Sequence, residues 1–311
     1  MIYKKALEYK EDFLTYLDVE RNASENTYRS YQYDLNQFFI FWDKLNKKHK
    51  TKKQSNVSMR DALDKFFLDL YQKKIKKSSI ARKVACFKSF EKYMQNDNVD
   101  IQLQLTTPRI EKKLPVYLTI DEITFLLDKL SDKELHSNSP LRDKTILETL
   151  YATGVRCSEL CNIKLTDINF DQQTILITGK GDKQRIVLFG NKAKQKILQY
   201  IQEERSKHLK DNNEYLFLTQ LGKRIQDRTV QTILNKFSKL LPTKKQLTPH
   251  TLRHSFATHL LNAGMNLRAL QELLGHSSLT TTERYTHIAT TDLKRLYETI
   301  NPLKLNQKKS S

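Results

Sequence analysis

Cysteine, glycine and proline are scarce in this 311-residue chain, which contains three, seven and six of them. The three cysteines, Cys86, Cys157 and Cys161, do not provide a disulfide framework, and such sparse usage is typical of a reducing compartment. Cys157 and Cys161 are four residues apart, but two thiols without a second pair make a poor zinc site. Small buried side chains are the simpler interpretation of both. The low glycine and proline content excludes collagen-like and low-complexity classes.

Long apolar runs are also missing. No stretch of 18 apolar residues occurs, which argues against a membrane-spanning helix, and the segment MIYKKALEYKEDF lacks the apolar centre of a secretory signal. We therefore expect a soluble, cytoplasmic protein. Hydrophobic residues still make up 38% of the chain, and 311 residues exceed the usual size of one compact domain, so two domains are expected.

Acidic residues are outnumbered by basic ones. The chain has 54 Lys and Arg against 35 Asp and Glu, which gives a formal net charge of +19. A surface this basic attracts polyanions, and DNA is the usual one. A lysine-rich codon bias would also raise the count, so charge alone suggests a nucleic-acid partner without establishing it.

Four amphipathic segments occupy the first 95 residues, at 6–20, 26–45, 58–72 and 78–95. Their apolar residues recur at helical spacing and predict a small all-helical domain. The residues predicted to face its core are Leu7, Phe13, Leu14, Leu17, Leu35, Phe38, Phe39, Trp42, Leu63, Phe66, Phe67, Leu70, Ile80, Val84, Phe87 and Phe90.

Polar residues that favour helix starts support this division. Asn26 or Thr27 can cap the second helix, and Ser58 can cap the third. Thr119 and Glu122 have the spacing of a capping box and indicate the first helix of a second domain.

The segment 104–115 has two prolines, a charge cluster and no periodicity, which indicates an interdomain linker. Beyond it the pattern is helical, with a helix over 141–152 that stops near Gly154. The exceptions are two short strands, 174–178 and 185–189, whose GKGDKQ connection predicts a β-hairpin. We thus predict a mainly α fold: an N-terminal helical domain over 1–107, a linker over 108–116, a mixed α/β domain with a small sheet over 117–300, and a tail over 301–311.

The segment 248–288 carries the densest set of chemical groups. His250 and Arg253 are three residues apart, so on a helix they share one face. Apolar residues every four positions, Leu252, Phe256 and Leu260, mark the opposite, buried face.

A second helix is predicted directly after this one. Gly275 is placed to end it, and His276 follows at that helix end. Thr280 and Glu283 have capping-box spacing, so another helix starts there, with Tyr285 in its first two turns. The predicted core residues of this part are Leu267, Leu270, Leu273 and Leu274.

Arginine, histidine and tyrosine without a carboxylate pair suit phosphoryl transfer that uses neither metal nor cofactor. Arginine presents a fixed fork of donors to the phosphate oxygens, and each such donor typically contributes ~10²–10³ in rate. A tyrosine phenol, with a reference pKa of about 10, is a better leaving group than a sugar hydroxyl. A covalent phosphotyrosine therefore conserves the bond energy, and rejoining needs no ATP.

These motifs resemble those of the tyrosine recombinase, or phage integrase, family. YATGVRCSELCNIKLTDI at 151–168 resembles its first arginine box, and TGKGDKQR at 178–185 resembles its lysine-bearing β-turn. HTLRH, LLGH and ERYTH within 248–288 resemble its C-terminal motifs, and the first four helices resemble its SAM-like core-binding domain. The resemblance covers nearly the full chain. It implies a site-specific enzyme that exchanges DNA strands through a 3′-phosphotyrosine and a Holliday junction.

The resemblance also implies catalytic roles. Arg156 and Arg253 would clamp the scissile phosphate, and His250 would accept a proton or hydrogen-bond the phosphate. His276 would hydrogen-bond a non-bridging oxygen, and Lys180 would protonate the leaving 5′ hydroxyl. The nucleophile would be Tyr285.

Some of these assignments have alternatives nearby. Lys183 and Arg185 share the hairpin with Lys180. Tyr297 is another tyrosine, although the spacing from His276 favours Tyr285.

Other polar residues near the motifs are interpreted as structural. We expect His254 and His259 to serve the fold, and Glu159 to orient an arginine or cap a helix without acting as a base. His287 is left unassigned.

Two N-terminal helices could lie in a major groove, with basic residues on phosphates. Arg29 is near the start of one, and Ser79, Arg82, Lys83 and Lys88 are predicted on the polar side of another. An ordinary solvated face is an equally good interpretation of each residue.

Within the family, the compact length and the lack of an additional N-terminal arm domain resemble the Xer recombinases, which resolve bacterial chromosome dimers at cell division. This implies a tetramer on DNA, formed with identical copies or a second recombinase, and the translocase FtsK as a further partner. The alternatives are a phage or transposon integrase with the same chemistry, a type IB topoisomerase, and a non-catalytic DNA-binding protein with this fold.

Overall fold

A computed structural model describes residues 3–21, 23–51, 57–110, 116–179, 182–210 and 212–274. The chain divides into two compact units, Met1–Lys113 and Leu114–Ser311, and each has its own hydrophobic core. The mainly α fold with a small sheet is confirmed. The finer boundaries, with a linker at 108–116 and a tail at 301–311, stay predictions. Among the described residues, no helix combines the length and apolarity that crossing a membrane requires.

Four helices build the first unit: α1 (Tyr3–Val19), α2 (Glu25–Thr51), α3 (Met59–Gln72) and α4 (Lys77–Asn96). Each buries one apolar stripe, and aromatic rings fill the centre of the resulting core. The ring of Phe38 meets those of Phe66 and Phe87 edge to face, at centroid distances of 5.6 and 5.1 Å. Trp42 is fully buried, and its indole nitrogen donates to the Val57 carbonyl at 3.0 Å. The one polar atom of that large side chain is thereby satisfied.

The predicted core of this unit is buried with the exception of Leu7, which is 37% exposed. Ser58 caps α3 as predicted, since its hydroxyl accepts from a backbone amide of the first turn. The predicted caps Asn26 and Thr27 are wrong, because α2 begins earlier and both residues lie inside its first turn. Ser24 occupies the position before the helix, and its hydroxyl accepts from the Thr27 amide at 3.2 Å.

The second unit surrounds a short antiparallel sheet with helices. The elements are α5 (Ile120–Thr124), α6 (Pro140–Thr153), α7 (Cys157–Asn162), β1 (Ile168–Asn169), β2 (Thr174–Thr178), β3 (Gln184–Leu188), α8 (Asn191–Tyr200), α9 (Ser206–His208), α10 (Asp227–Leu240), α11 (Pro249–Asn262) and α12 (Leu267–Leu274). The strands follow the order β1-β2-β3, and Arg185 on β3 pairs with Ile177 on β2. A π-helical turn over Phe125–Lys129 extends α5, and another over Ile201–Arg205 joins α8 to α9.

The predicted hairpin is present, and β3 starts one residue earlier than expected. Strand β1 escaped prediction because two residues are too short to show alternation. The capping box of Thr119 and Glu122 is present at the start of α5.

Helix α6 runs through the middle of this unit and is buried on nearly all sides from Arg142 to Thr153. Two of its buried hydroxyls are satisfied within the helix, since those of Thr149 and Thr153 donate to carbonyls one turn earlier. The helix ends at Gly154, as predicted, in a left-handed conformation with φ of 62°. The next residues lead directly into α7.

Helix α11 packs against α6 and places the second group of candidate residues. Thr248 caps it by accepting from the Thr251 amide at 3.0 Å. The predicted apolar face is confirmed by the burial of Leu252, Phe256 and Leu260. In α12 the expected burial holds for Leu270, Leu273 and Leu274, whereas Leu267 is wrong, because it lies at the start of the helix and is 60% exposed.

Replacing Gly154 with Ala is expected to destabilise the protein by roughly 2–4 kcal/mol, because two effects combine. The left-handed backbone strains any residue with a Cβ. An added Cβ would also lie 2.5 Å from Cδ1 of Phe256 and 3.1 Å from Cδ2 of Leu274. Urea unfolding measures the loss. Gly154→Asn serves as the control, since Asn tolerates this backbone conformation but brings the same Cβ. Full stability of Gly154→Asn would show that the contact with Phe256 does not limit the site.

Candidate active site

Three of the six predicted catalytic residues lie in the described part of the chain. These are Arg156, His250 and Arg253. Lys180 and the entire segment from Gly275 onward lie outside the described residues, so the predictions for Gly275, His276, Thr280, Glu283, Tyr285, His287 and Tyr297 are not tested by the structure.

The turn between α6 and α7 places Arg156. After Gly154 reverses the chain, Val155 is fully buried and Arg156 takes the position just before α7, with extended backbone. Its amide donates to Oε2 of Glu159 at 2.8 Å, and its Nη1 donates to Oε1 at 2.8 Å. The Arg156 side chain remains 43% exposed, so its guanidinium is both held in place and open to a ligand.

Arg253 lies one turn into α11 and reaches the same region. Its Nη1 donates to the Gly154 carbonyl at 2.5 Å, and its Nη2 donates to the Leu274 carbonyl at 2.6 Å. A guanidinium has five N–H donors, so others remain for a bound anion. Burial, together with the nearby positive charges of Arg156 and Arg185, lowers the pKa of Arg253 to about 10, although the negative charge of Glu159 opposes the shift. The group is still a cation at neutral pH.

Glu159 joins the cations of this site. It is 5% exposed, and besides Arg156 it accepts from Arg185, with Nη1 to Oε1 at 2.9 Å and Nη2 to Oε2 at 2.7 Å. Burial raises the pKa of this carboxyl, but the hydrogen bonds from Arg185 and Arg156 outweigh burial and bring it to about 2. The depressed pKa means that the ion pairs stabilise the fold above the ordinary pKa of a glutamate. That stabilisation is lost as the pH falls toward 2. Glu159 thus caps α7 and orients arginines, and it is no base.

Arg185 is a site residue that the sequence indicates only as an alternative to Lys180. It lies on β3, and its side chain is largely buried against Glu159. Its Nε is buried without a hydrogen-bond partner among the described residues. In the sequence, Arg185 is recognisable only as a basic residue at the start of a predicted strand. That pattern does not show which carboxylate the Arg185 side chain contacts.

The end of the β2–β3 hairpin also lies beside Glu159. The Gly179 amide donates to the Lys183 carbonyl at 2.8 Å, which closes the hairpin. A Cβ built on Gly179 would lie 3.7 Å from Oε1 of Glu159. Gly179, one residue past β2, therefore lies beside the carboxylate that Arg156 and Arg185 share.

Three guanidinium groups and one carboxylate make up this region, which we call the arginine centre: Arg156, Arg185, Arg253 and Glu159. Their charges leave two net positive charges. Arg253 interacts electrostatically with each of the other three. Donors held in advance by protein partners need little rearrangement when an anion arrives. The arginine centre is suited to bind a phosphodiester and to stabilise the charge that builds up on its oxygens.

The histidines of α11 differ in their surroundings. His259 is buried, and its Nδ1 lies 2.9 Å from the Tyr151 hydroxyl. Burial lowers its pKa, so it stays neutral at pH 7, in line with the expected structural role. The ring of His254 meets that of Tyr117 edge-on at 6.2 Å. His250 is exposed in the first turn of α11, where it can meet a ligand from solvent.

One group of possible metal ligands occurs among the described residues. The thiols of Cys157 and Cys161 and a carboxylate oxygen of Asp227 lie within 4.8 Å of one another. The hydrogen bond from Cys157 and burial raise the pKa of Cys161. Cys161 is buried and Cys157 half-buried, which fits the expected packing role.

The predicted DNA-binding residues of the first unit have unequal exposure. Arg29 and Lys88 are exposed, and Ser79 is half-buried. Arg82 forms a bidentate ion pair with Asp34, at 2.6 and 3.0 Å. The predicted position of Lys83 on the polar face is wrong. It is 4% exposed, because its ammonium pairs with the fully buried Asp34 at 2.7 Å.

Family comparisons match both units. Residues 11–97 match the phage integrase N-terminal SAM-like domain, and residues 116–292 match the phage integrase family. A tyrosine recombinase XerC from Syntrophus aciditrophicus is 38% identical over 304 residues, which cover 94% of this chain and 96% of the relative. The XerC of Staphylococcus epidermidis is 39% identical over 297 residues, which cover 94% and 97%.

Solved structures share the fold. XerH bound to its difH substrate in a pre-cleavage complex aligns with a TM-score of 0.66 and 24% identity, covering 89% of this chain and 78% of XerH. The Tn1549 transposon integrase in complex with transposon right end DNA aligns with a TM-score of 0.63 and 19% identity, covering 95% and 99%. At these identities the two structures establish a common architecture.

Proposed function

Because this chain belongs to the phage integrase family and is a tyrosine recombinase of the Xer type, we propose that it cleaves and rejoins DNA at the arginine centre through a 3′-phosphotyrosine on Tyr285. The observation that carries the proposal is the convergence of Arg156 and Arg253 beside Glu159, with donors already held by protein partners. The scissile phosphate would take the place of a counter-ion there.

The described arginines would act on the phosphate oxygens. Arg156 offers a half-exposed guanidinium, and Arg253 offers the N–H groups that its two carbonyl partners leave free. As the nucleophile approaches, negative charge grows on the non-bridging oxygens, and fixed cationic donors stabilise that state more than the ground state. Each donor group would contribute ~10²–10³ in rate.

The remaining steps fall to residues placed by the family motifs. The Tyr285 oxygen forms a bond to phosphorus while the bond to the 5′ oxygen breaks. Lys180 supplies the proton that the departing 5′ hydroxyl needs, and His250 accepts the proton of the phenol or hydrogen-bonds the phosphate. His276 hydrogen-bonds a non-bridging oxygen. The reverse reaction, with a 5′ hydroxyl from the other duplex, produces a Holliday junction and then the recombinant strands.

The first unit would hold the DNA through contacts to its phosphates. Its exposed cations Arg29 and Lys88, with Ser79, are the candidates for contacts to phosphates. Arg82 can contribute only with the donors that Asp34 leaves free, and Lys83 serves the fold.

In the cell, the enzyme would resolve chromosome dimers at recombination sites during division. XerC relatives at 38–39% identity over 94% of the chain support this assignment. It would act as a tetramer on DNA, made of identical copies or with a second recombinase, and FtsK would be its translocase partner. A phage or transposon integrase is the second candidate, and the Tn1549 integrase shares the fold at 19% identity.

A nicked suicide substrate tests the chemistry. Cleavage close to the nick releases a short fragment that diffuses away, so rejoining fails and the protein is expected to stay covalently attached to the DNA. The complex is measured on a denaturing gel, and protease treatment should remove the protein from the DNA strand. Release of a free 3′ phosphate with no attached protein would contradict the phosphotyrosine route.

A further inference from the structure

Arg185 forms the only bidentate contact that Glu159 receives from one side chain within the described residues, and it does so from a different element. The two residues are 26 positions apart in sequence. Glu159 belongs to α7, whereas Arg185 belongs to β3, so the pair fastens the hairpin to the helix that Arg156 begins. Such fork-to-carboxylate pairs fix orientation as well as distance.

The pairing of β2 with β3 links the Arg185–Glu159 ion pair to the end of the hairpin that connects the two strands. Arg185 lies opposite Ile177, and the next pair toward the tip is Thr178 with Gln184. Gly179 follows, closed by its bond to Lys183 and lying beside Glu159. Lys180 is the next residue in the sequence. Any tilt of β3 away from α7 would therefore shift Gly179, which directly precedes Lys180 in the sequence.

We propose that Arg185 is a positioning residue of the recombination reaction, whose ion pair with Glu159 holds the β2–β3 hairpin, as far as Gly179, against the helix that begins after Arg156. The inference rests on the proposed function, because it takes Lys180 as the general acid. Proton transfer depends steeply on geometry, and a misplacement of about 1 Å can cost ~10²-fold in rate. Arg185 also keeps the Glu159 carboxylate from turning wholly toward Arg156.

The leaving group supplies a test that separates positioning from general stability. A 5′-bridging phosphorothiolate replaces the departing oxygen by sulfur, and the thiolate leaves without a proton. Arg185→Met removes the ion pair while retaining side-chain volume. Its cleavage of an ordinary suicide substrate is expected to fall about 10²-fold, and its cleavage of the phosphorothiolate substrate to return to within about threefold of wild type. Arg185→Lys keeps one contact and should show an intermediate loss with the same rescue.

Two further variants make the result decisive. Arg142 is a matched control, since it is a buried arginine in the same unit that pairs with Asp143 and the Leu218 carbonyl. Arg142→Met should slow the two substrates by the same factor. Lys180→Met should show the full rescue.

Each outcome decides one point. Equal slowing of Arg185→Met on both substrates, or no slowing on either, overturns the positioning role. If Lys180→Met is rescued while Arg185→Met is not, the inference fails and the general acid stands. If Lys180→Met is not rescued, its acid role falls and the positioning role falls with it. Failure of the wild-type protein to form any covalent complex would instead refute the proposed function.

Discussion

Tyr285→Phe is expected to lower covalent complex formation on a suicide substrate by at least about 10⁴-fold. The substitution removes only the phenol oxygen, so the atom that would bond to phosphorus is missing while the ring and every cationic donor remain. Binding of intact DNA should therefore stay within about threefold of wild type, since phosphate contacts dominate affinity. A denaturing gel measures the covalent species, and a native gel shift measures binding.

Tyr297→Phe is the matched control, because it deletes the same hydroxyl twelve residues further along the chain. It should form the covalent complex at the wild-type rate. If Tyr297→Phe lost the complex and Tyr285→Phe kept it, the nucleophile would be misassigned and the spacing from His276 would be a poor guide.

The second large effect is expected for Arg253→Lys, with single-turnover cleavage slower by ~10²–10³. The guanidinium spans the carbonyls of Gly154 and Leu274 with two separate nitrogens and still has donors left. An ammonium is a single point and has to give up one of these contacts or the phosphate. Because lysine keeps the positive charge, a slower cleavage rate would show that the arrangement of the guanidinium donors matters.

Arg268→Lys provides the comparison, since Arg268 on α12 is 85% exposed and pairs only loosely with Glu272, at 3.7 Å. Its cleavage rate should remain at the wild-type value. A rate for Arg253→Lys within about threefold of wild type would mean that positive charge suffices there, and that the two carbonyl contacts do not prepare the residue for catalysis.

Local sequence patterns predicted the parts of this fold that depend on neighbours in the chain. The apolar face of α11, the capping box at Thr119 and the helix stop at Gly154 each follow from residues within one or two turns. Arg156 and Arg253 were assigned from motifs, and their shared contact with the α6–α7 region adds a physical reason for that assignment.

Contacts between distant elements could not be predicted in this way. The pairing of Arg185 with Glu159 requires the strand register and the packing of β3 on α7, which no local pattern encodes. Lys83 was misplaced for the same reason, because helical spacing gave it a polar face but could not show that Asp34 from α2 would be buried opposite. The start of α2 was missed by two or three residues, since Ser24, Asn26 and Thr27 all suit the position before a helix.

The burial of Lys83 beside Asp34 changes how the count of 54 Lys and Arg residues translates into DNA affinity. A buried cation that already has a buried carboxylate partner displaces no condensed ions from the duplex. Each phosphate that is truly neutralised steepens the slope of log affinity against log salt by roughly 0.9. The salt dependence of DNA binding by this recombinase is therefore set by its exposed cations. The total number of lysines and arginines overestimates that dependence.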